Sequence, residues 1–287
     1  MTKEKNKNSG KGFTIVINTM IIILTIIIIF LAWQLIKIGL SYAESRKEYN
    51  ELREFIISAE AEPGKPAKPD NIQASESSDS AETVTEDVEE NVFQEPVCDI
   101  TVDFKSLWDI NPDIKGWIYQ DVLEISYPIV QGADNNEYLY TSVKGTANKG
   151  GSIFMEALNH GDFSDPHTII YGHNMKDGSM FGKLKKLYDQ ELIDNLNTTL
   201  CFWIITPEGK FRYDVFSIHT VDAAGDTYTL FTEPCDEVGA YMNKMAKFTG
   251  VELPQRVYNT KDKVITLSTC TGNDQYRLVV QGVLHME

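Results

Sequence analysis

Hydrophobic and polar residues follow three patterns along this chain. An almost unbroken apolar run covers residues 13–36. A polar, acidic stretch covers residues 60–95, and from residue 98 onward short apolar runs alternate with turn residues. The three patterns predict a membrane-spanning helix, a linker and a globular domain, in that order.

The apolar run is long enough for a membrane anchor. It holds about 24 residues, whereas a helix crosses a bilayer with about 20. Four lysines precede it and Trp33 lies near its end, so the positive-inside rule predicts a cytoplasmic leader (residues 1–12), a span (13–36) and an extracellular remainder. A cleaved signal peptide is the alternative, but no small-residue cleavage site stands out after the run.

Two segments separate this predicted anchor from the globular part. Residues 37–58 keep apolar side chains at helical spacing, which predicts a juxtamembrane helix. Residues 59–97 form an acidic linker: eleven acidic residues stand against two lysines, so this stretch carries −9 of the net charge of −16. Such a composition buries too little apolar surface to fold, and we predict a disordered stalk.

The globular part, residues 98–287, is dominated by short β-type runs. Two of them flank the turn signal at residues 207–210 and predict a hairpin. Helical spacing fits residues 180–188 and 235–248. The remaining pattern predicts a mostly β fold, a closed or nearly closed barrel with helical insertions. The predicted strands cover residues 116–119, 125–130, 152–155, 168–171, 200–206, 211–218, 264–270 and 277–284.

Charge and residue spacing argue against several functions. A net charge of −16 disfavours a nucleic-acid partner, because phosphate backbones attract basic surfaces. The four cysteines form no C-x-x-C pair and no zinc-type set with histidine. His160, Asp162, Asp165 and His167 are better explained as a polar loop between strands than as metal ligands, so we predict neither a metal nor a cofactor.

A cysteine at the end of a predicted strand is the first candidate for chemistry. Alternation along residues 264–270 places Thr266, Ser268 and Cys270 on one face of the strand. His173 follows another strand, and Arg277 opens the last one. Taken singly, each of these residues is more often structural than catalytic.

Three segments nevertheless resemble the histidine, cysteine and arginine motifs of the sortases. They are Tyr-Gly-His-Asn-Met at residues 171–175, Thr-Leu-Ser-Thr-Cys at 266–270 and Arg-Leu-Val-Val at 277–280. The likeness covers roughly residues 102–285. It extends to sequence segments typical of class B sortases at residues 116–118, 127–131, 151–155 and 180–182, and to the helical insertion before the strand that ends in the cysteine.

This resemblance implies an eight-stranded sortase-type barrel and a cysteine transpeptidase that needs no cofactor. Cys270 would attack the carbonyl of a threonine in a C-terminal sorting signal of a secreted protein and form a thioester. His173 would act as general acid and then base, and Arg277 would hold the substrate and its developing oxyanion. The acceptor would be an amine of a lipid-linked peptidoglycan precursor or of a pilin lysine, at a Gram-positive surface.

The resemblance also implies a set of substrate-binding residues. Some class B members carry a glutamate directly after the cysteine; Thr271 stands here, so any contribution of that carboxylate is absent. The five implied positions are Ser268, Thr269, Tyr171, Asn135 and Tyr228.

Two other functions are considered beside transpeptidation. A secreted cysteine peptidase would use Cys270 and His173 for hydrolysis alone, with an Asn or Asp orienting the histidine where Arg277 stands. A non-catalytic surface module would leave Cys270 incidental and the three motifs coincidental. Among sortases, the lack of an Asp-Pro-aromatic motif ahead of the barrel argues mildly against a lidded pilin polymerase.

Overall fold

The computed structural model of this chain describes residues 7–58, 93–270 and 275–286. Most of the predicted linker and the first half of the predicted leader therefore lie outside the described residues. The chain divides into two compact units, residues 1–48 and 49–287.

The N-terminal helix α1 spans Lys7–Arg53. Its apolar segment is exposed on all sides, and by length and composition it is able to cross a membrane. The predicted extension of this helix to Ser58 is too long. The helix ends at Arg53, and strand β1 (Ile56–Ser58) pairs with β2 (Ile100–Val102), an arrangement that suits β-branched isoleucines.

Eight strands close into a barrel, which confirms the predicted fold class. The strands are β3 (Ile114–Gln120), β4 (Ile125–Val130), β5 (Ile153–Met155), β6 (His167–Tyr171), β7 (Cys201–Thr206), β8 (Gly209–Asp222), β9 (Val264–Cys270) and β10 (Tyr276–Leu284). Their order around the barrel is β10-β8-β7-β3-β4-β5-β6-β9. Antiparallel pairs dominate, but β4 pairs with β5 and β6 pairs with β9 in parallel.

Of the two helices predicted in the globular part, one is present and the other is shorter than predicted. The insertion before β9 forms α4 (Asp236–Met245) and a 3-10 turn to Phe248, and its buried face packs on the barrel. Where a helix is predicted at residues 180–188, the structure has only a 3-10 helix, Leu184–Tyr188. Met180 has a positive φ of 53° and bridges to Asn174, which is incompatible with a helix starting there.

Two short helices were not predicted from the sequence. Helix α2 (Phe104–Ile110) is capped by Asp103, whose carboxylate accepts from the Ser106 N–H at 3.1 Å. Helix α3 (Gln190–Asp194) has a similar aspartate cap at Asp189. With seven and five residues, neither is long enough to display a clear helical period.

Candidate active site

Strand β9 carries three of the candidate residues to one edge of the barrel. Ser268 and Thr269 are buried at 2% and 3% exposure, and Cys270 ends the strand. Its neighbour β10 runs antiparallel, with Arg277 directly opposite Cys270. Opposed residues in such a pair have Cα atoms about 4.5–5.5 Å apart, so the two residues are close neighbours in the backbone. The side chain of Cys270 lies outside the described part of the chain.

Strand β6 brings His173 to the same edge. It pairs in parallel with β9, Tyr171 against Ser268, and the Gly172 N–H donates to the Ser268 carbonyl at 3.1 Å. A Cβ on Gly172 would lie 2.5 Å from the end of the Ile153 side chain and 2.7 Å from the Phe181 ring, so any other residue here would force these buried side chains to shift. The residue after this glycine is His173.

The imidazole of His173 is held by a backbone carbonyl. Its Nε2 lies 2.6 Å from the Leu139 oxygen, and because a carbonyl can only accept, Nε2 carries the hydrogen. The ring of Tyr140 lies beside the imidazole, with ring centroids 5.3 Å apart. These contacts leave Nδ1 as the nitrogen able to exchange protons with a reactant.

The candidate residues surround one cavity of about 340 Å³. Arg277, half-buried, reaches it from β10. Seven of the eight predicted site residues line it, and the eighth is Cys270, whose side chain is not described. The lining residues are Asn135, Leu139, Phe154, Tyr171, Gly172, His173, Ala223, Tyr228, Ser268, Thr269 and Arg277.

Polar contacts order one wall of this cavity. The Glu156 carboxylate accepts from the Asn135 amide at 2.7 Å and from the Tyr171 hydroxyl at 2.8 Å. Burial, with the nearby Glu156 charge, raises the pKa of Tyr171 far above its usual range. The hydroxyl of Tyr228 lies 2.8 Å from Ser268 Oγ, and its ring stacks against Tyr171 at 6.4 Å. The wall is therefore a connected set of side chains.

A comparison with protein-family models decides the family. The model described as the sortase domain matches residues 118–285, more than half of the chain. The chain belongs to the sortase family.

Relatives and solved structures place this sortase in class B. A sortase B of Listeria monocytogenes is 35% identical over 187 residues, which are 63% of this chain and 74% of that protein. A sortase B structure from Bacillus anthracis in complex with AAEK1 matches with a TM-score of 0.63 and 29% identity, over 87% of this chain and all of that one. A Staphylococcus aureus sortase B structure matches with a TM-score of 0.58 and 27% identity, over 64% and 87% of the two chains.

The other three cysteines of this sortase are poorly suited to be nucleophiles. Cys98, Cys201 and Cys235 carry free thiols. Burial raises the pKa of Cys98, and it raises the pKa of Cys201 to about 12, so both thiols stay protonated at neutral pH. Cys235 precedes α4 and packs against the core cluster formed by that helix and the barrel.

Three residues of the site were not predicted from the sequence: Leu139, Phe154 and Glu156. Leu139 acts through its carbonyl, and no motif marks it. Phe154 acts through its ring, which lies 5.2 Å from Tyr171; the class B-like segment at residues 151–155 includes Phe154 but does not by itself indicate a role at the site. Glu156 did leave a signal, since a carboxylate directly after the apolar run Ile153–Met155 is an unusual buried charge.

The two histidines of the polar loop have partners other than a metal. His160 Nδ1 pairs with the Asp165 carboxylate at 2.7 Å, while His167 turns inward to Thr229 and Thr266. Across the described residues, no group of three or more His, Cys, Asp and Glu side chains is arranged to hold a metal ion.

Proposed function

We propose that this class B sortase cleaves a sorting signal after threonine and transfers the protein to an amine, with Cys270, His173 and Arg277 as catalytic residues. The observation that carries these roles is the register. Arg277 lies opposite Cys270 on adjacent strands, and His173 and Arg277 line one cavity with Ser268 and Thr269. Family membership supports the reaction type, and the geometry supports the choice of residues.

The first half of the reaction forms a thioester. The Cys270 thiolate attacks the threonine carbonyl carbon, and the guanidinium of Arg277 stabilises the negative oxygen of the tetrahedral intermediate. The peptide C–N bond then breaks, and the departing amine takes a proton from Nδ1 of His173. Leu139 holds Nε2 throughout, so the ring keeps its orientation.

The second half transfers the acyl group. An incoming amine attacks the thioester carbon, gives a proton to Nδ1 of His173, and the C–S bond breaks to release the Cys270 thiolate. The cavity wall of Asn135, Tyr171, Tyr228, Ser268 and Thr269 binds the signal peptide. Thr269 Oγ1 is buried with no hydrogen-bond partner among the described residues, so it offers a polar contact to a bound peptide.

The partners follow from this reaction. They are secreted proteins with a C-terminal sorting signal and an amine of a lipid-linked peptidoglycan precursor or a pilin. We propose that residues 13–36 anchor the enzyme in the cell membrane, with residues 1–12 cytoplasmic and residues 37–58 and 59–97 connecting to an extracellular catalytic domain. The long, exposed apolar helix α1 supports this arrangement.

The test uses the full chain in detergent with quenched signal peptides of the Asn-Pro-x-Thr and Leu-Pro-x-Thr types, each with and without an amine. We expect cleavage after threonine, an amine-linked product, and loss of both in Cys270→Ala. Cys235→Ala is the matched control, since it removes a thiol away from the cavity. Cleavage without any amine-linked product would favour a hydrolytic peptidase, and activity retained by Cys270→Ala would refute the mechanism.

A further inference from the structure

Four polar side chains are buried in the barrel beside the active site, and the proposed mechanism uses none of them. His167, Thr266 and Gln281 are fully buried, and Tyr241 is 7% exposed. They come from β6, β9, β10 and α4, and none lines the active-site cavity. Burying polar groups in such a place is costly unless hydrogen bonds satisfy them.

Their hydrogen bonds form a chain in which each group donates to the next, from Gln281 through Thr266 and His167 to the Thr229 carbonyl. Nδ1 of His167 lies 2.6 Å from the Thr229 carbonyl, so this nitrogen carries the hydrogen. Burial lowers the pKa of His167 to about 4, so the ring is neutral and Nε2 accepts from the Thr266 hydroxyl at 2.8 Å. The oxygen of Thr266 in turn accepts from Gln281 Nε2 at 2.9 Å.

Gln281 also begins a second chain of hydrogen bonds. Its Nε2 also donates to the Tyr241 hydroxyl at 2.8 Å, and that hydroxyl donates to the Thr227 carbonyl at 2.7 Å. The two hydrogens of a single amide group thus head two chains of hydrogen bonds. One chain ends at the carbonyl of Thr227 and the other at the carbonyl of Thr229.

The residue between these two carbonyls is Tyr228. It ends a three-residue 3-10 turn, Asp226–Tyr228, which is closed by two backbone bonds of 3.1 Å, from the Tyr228 N–H to the Gly225 carbonyl and from the Thr229 N–H to the Asp226 carbonyl. Its hydroxyl meets Ser268 Oγ and its ring meets Tyr171, both in the cavity wall. The carbonyls on either side of this side chain are therefore held by donors from the barrel interior, in addition to the bonds of the turn itself.

Packing alone does not account for Gln281. Its Oε1 is buried with no partner among the described residues, which is a cost that methionine or leucine would avoid at similar volume. Both hydrogens of the amide are donated, to Tyr241 and to Thr266. Gln281 therefore supplies directed hydrogen bonds that an apolar side chain of similar size could not.

We propose that Gln281 and His167, through Thr266 and Tyr241, are positioning residues that fix Tyr228 for signal-peptide binding. This inference rests on the proposed function, because it assigns Tyr228 to the peptide groove. Loss of the Gln281 amide removes the hydrogen bonds that orient the Thr266 and Tyr241 hydroxyls, so the two donors that hold the Thr227 and Thr229 carbonyls are less well fixed. Tyr228 then spends less time against Ser268 and Tyr171. Peptide binding weakens while the reacting groups keep their places.

The kinetic test is a double-mutant cycle in the full chain. We expect Gln281→Met to lower kcat/KM about ten-fold, mostly by raising KM, with the alkylation rate of Cys270 unchanged. In a Tyr228→Ala background the same substitution should change kcat/KM less than about two-fold. Independent, multiplicative losses would overturn the proposal. Gln120→Met is the matched control: this buried glutamine caps a turn through the Leu123 N–H, and its loss should leave KM unchanged.

A second measurement does not depend on activity. Hydrogen exchange of the amides of residues 226–230 should accelerate in Gln281→Met and His167→Phe and stay unchanged in Gln120→Met. Unchanged exchange in Gln281→Met would refute the proposal even in an active enzyme. If no peptide is cleaved by the wild-type chain, the proposed function fails, but the exchange result still decides whether this network holds Tyr228.

Discussion

At the residue scale, Glu156 shows how a side chain outside the cavity lining shapes the site. One of its oxygens accepts from both Asn135 and Tyr171, and the other accepts from the Leu158 N–H at 3.3 Å. Bonds to a carboxylate are roughly twice as strong as neutral ones. The charge therefore fixes two groups that line the cavity at once.

Substitutions at Glu156 should separate charge from hydrogen bonding. Glu156→Gln keeps an oxygen acceptor, and we expect a rise in KM of roughly two- to five-fold, that is, about 0.4–1 kcal/mol. Glu156→Ala leaves two half-buried donors, on Asn135 and Tyr171, without this acceptor and should cost about 1 kcal/mol of stability. Steady-state kinetics and urea unfolding measure the two effects. Equal unfolding midpoints for both variants would contradict this account.

The pH dependence of stability should carry the signature of His167. Burial lowers its pKa to about 4, against the opposing effects of the Thr229 carbonyl and the charge of Asp165. The unfolded chain, with an ordinary pKa near 6.5, binds the proton first, so this contribution is complete above about pH 6.5 and is lost as pH falls towards 4. The loss amounts to about 3 kcal/mol for a shift from 6.5 to about 4.

Replacing His167 with a residue that does not titrate isolates this contribution. We expect His167→Gln to be less stable than the wild type at about pH 7.5 but to lose less stability between about pH 7 and 4.5, as measured by urea unfolding at each pH. Carboxylates contribute acid sensitivity to both proteins, so only the difference between them counts. Parallel stability curves would show that His167 does not titrate as its burial requires.

At the element scale, the last turn of α1 belongs to the larger compact unit, residues 49–287. Tyr49 is 5% exposed and its hydroxyl donates to the Gly151 carbonyl at 2.7 Å. Leu52 is fully buried, and the guanidinium of Arg53 lies over the ring of Tyr127 at 5.3 Å and donates to the Ser126 carbonyl at 3.2 Å. The Tyr127 hydroxyl accepts from the Met180 N–H, in the loop that follows His173.

This turn should matter for stability. We expect Leu52→Ala to cost about 2–4 kcal/mol, because it empties a buried site, and Tyr49→Phe to cost about 1 kcal/mol. Ile57→Ala, at a position 57% exposed, is the control and should cost under about 0.5 kcal/mol. Thermal unfolding of the full chain measures all three. A fragment 98–287 should likewise melt below a fragment 49–287, and equal melting temperatures would place the domain boundary at residue 98.

The barrel strands were predictable from the sequence, whereas the short helices and 3-10 turns were not. The alternation at Thr266 and Ser268 is sufficient to locate β9 and its polar face, because strand side chains have a period of two. The 3-10 turn that carries Tyr228 and the capped helix α2 have too few residues to show a period. Their positions depend on tertiary contacts that no local pattern contains, such as the bond from the Tyr241 hydroxyl to the Thr227 carbonyl.

At the scale of the whole molecule, the sequence order of the strands differs from their order around the barrel. β9 is inserted between β6 and β10, so residues 173, 270 and 277 meet at one edge although about 100 positions separate the first from the others. Single residues could not have revealed this meeting. The three motifs together indicate it only through their resemblance to those of the sortases.

The proposed topology makes a prediction for intact cells. If α1 anchors the enzyme with its C-terminal side outside, a membrane-impermeant maleimide should label Cys270 in unbroken Gram-positive cells, and the labelled protein should sediment with the membranes. Cys98 and Cys201 are buried with raised pKa values, so they should react little in the folded protein. Cys270→Ala should therefore lose most of the label, and the remaining label would be assigned to Cys235. Labelling that requires permeabilised cells would place the catalytic domain inside, whereas a labelled protein released into the medium would indicate a cleaved signal sequence in place of an anchor.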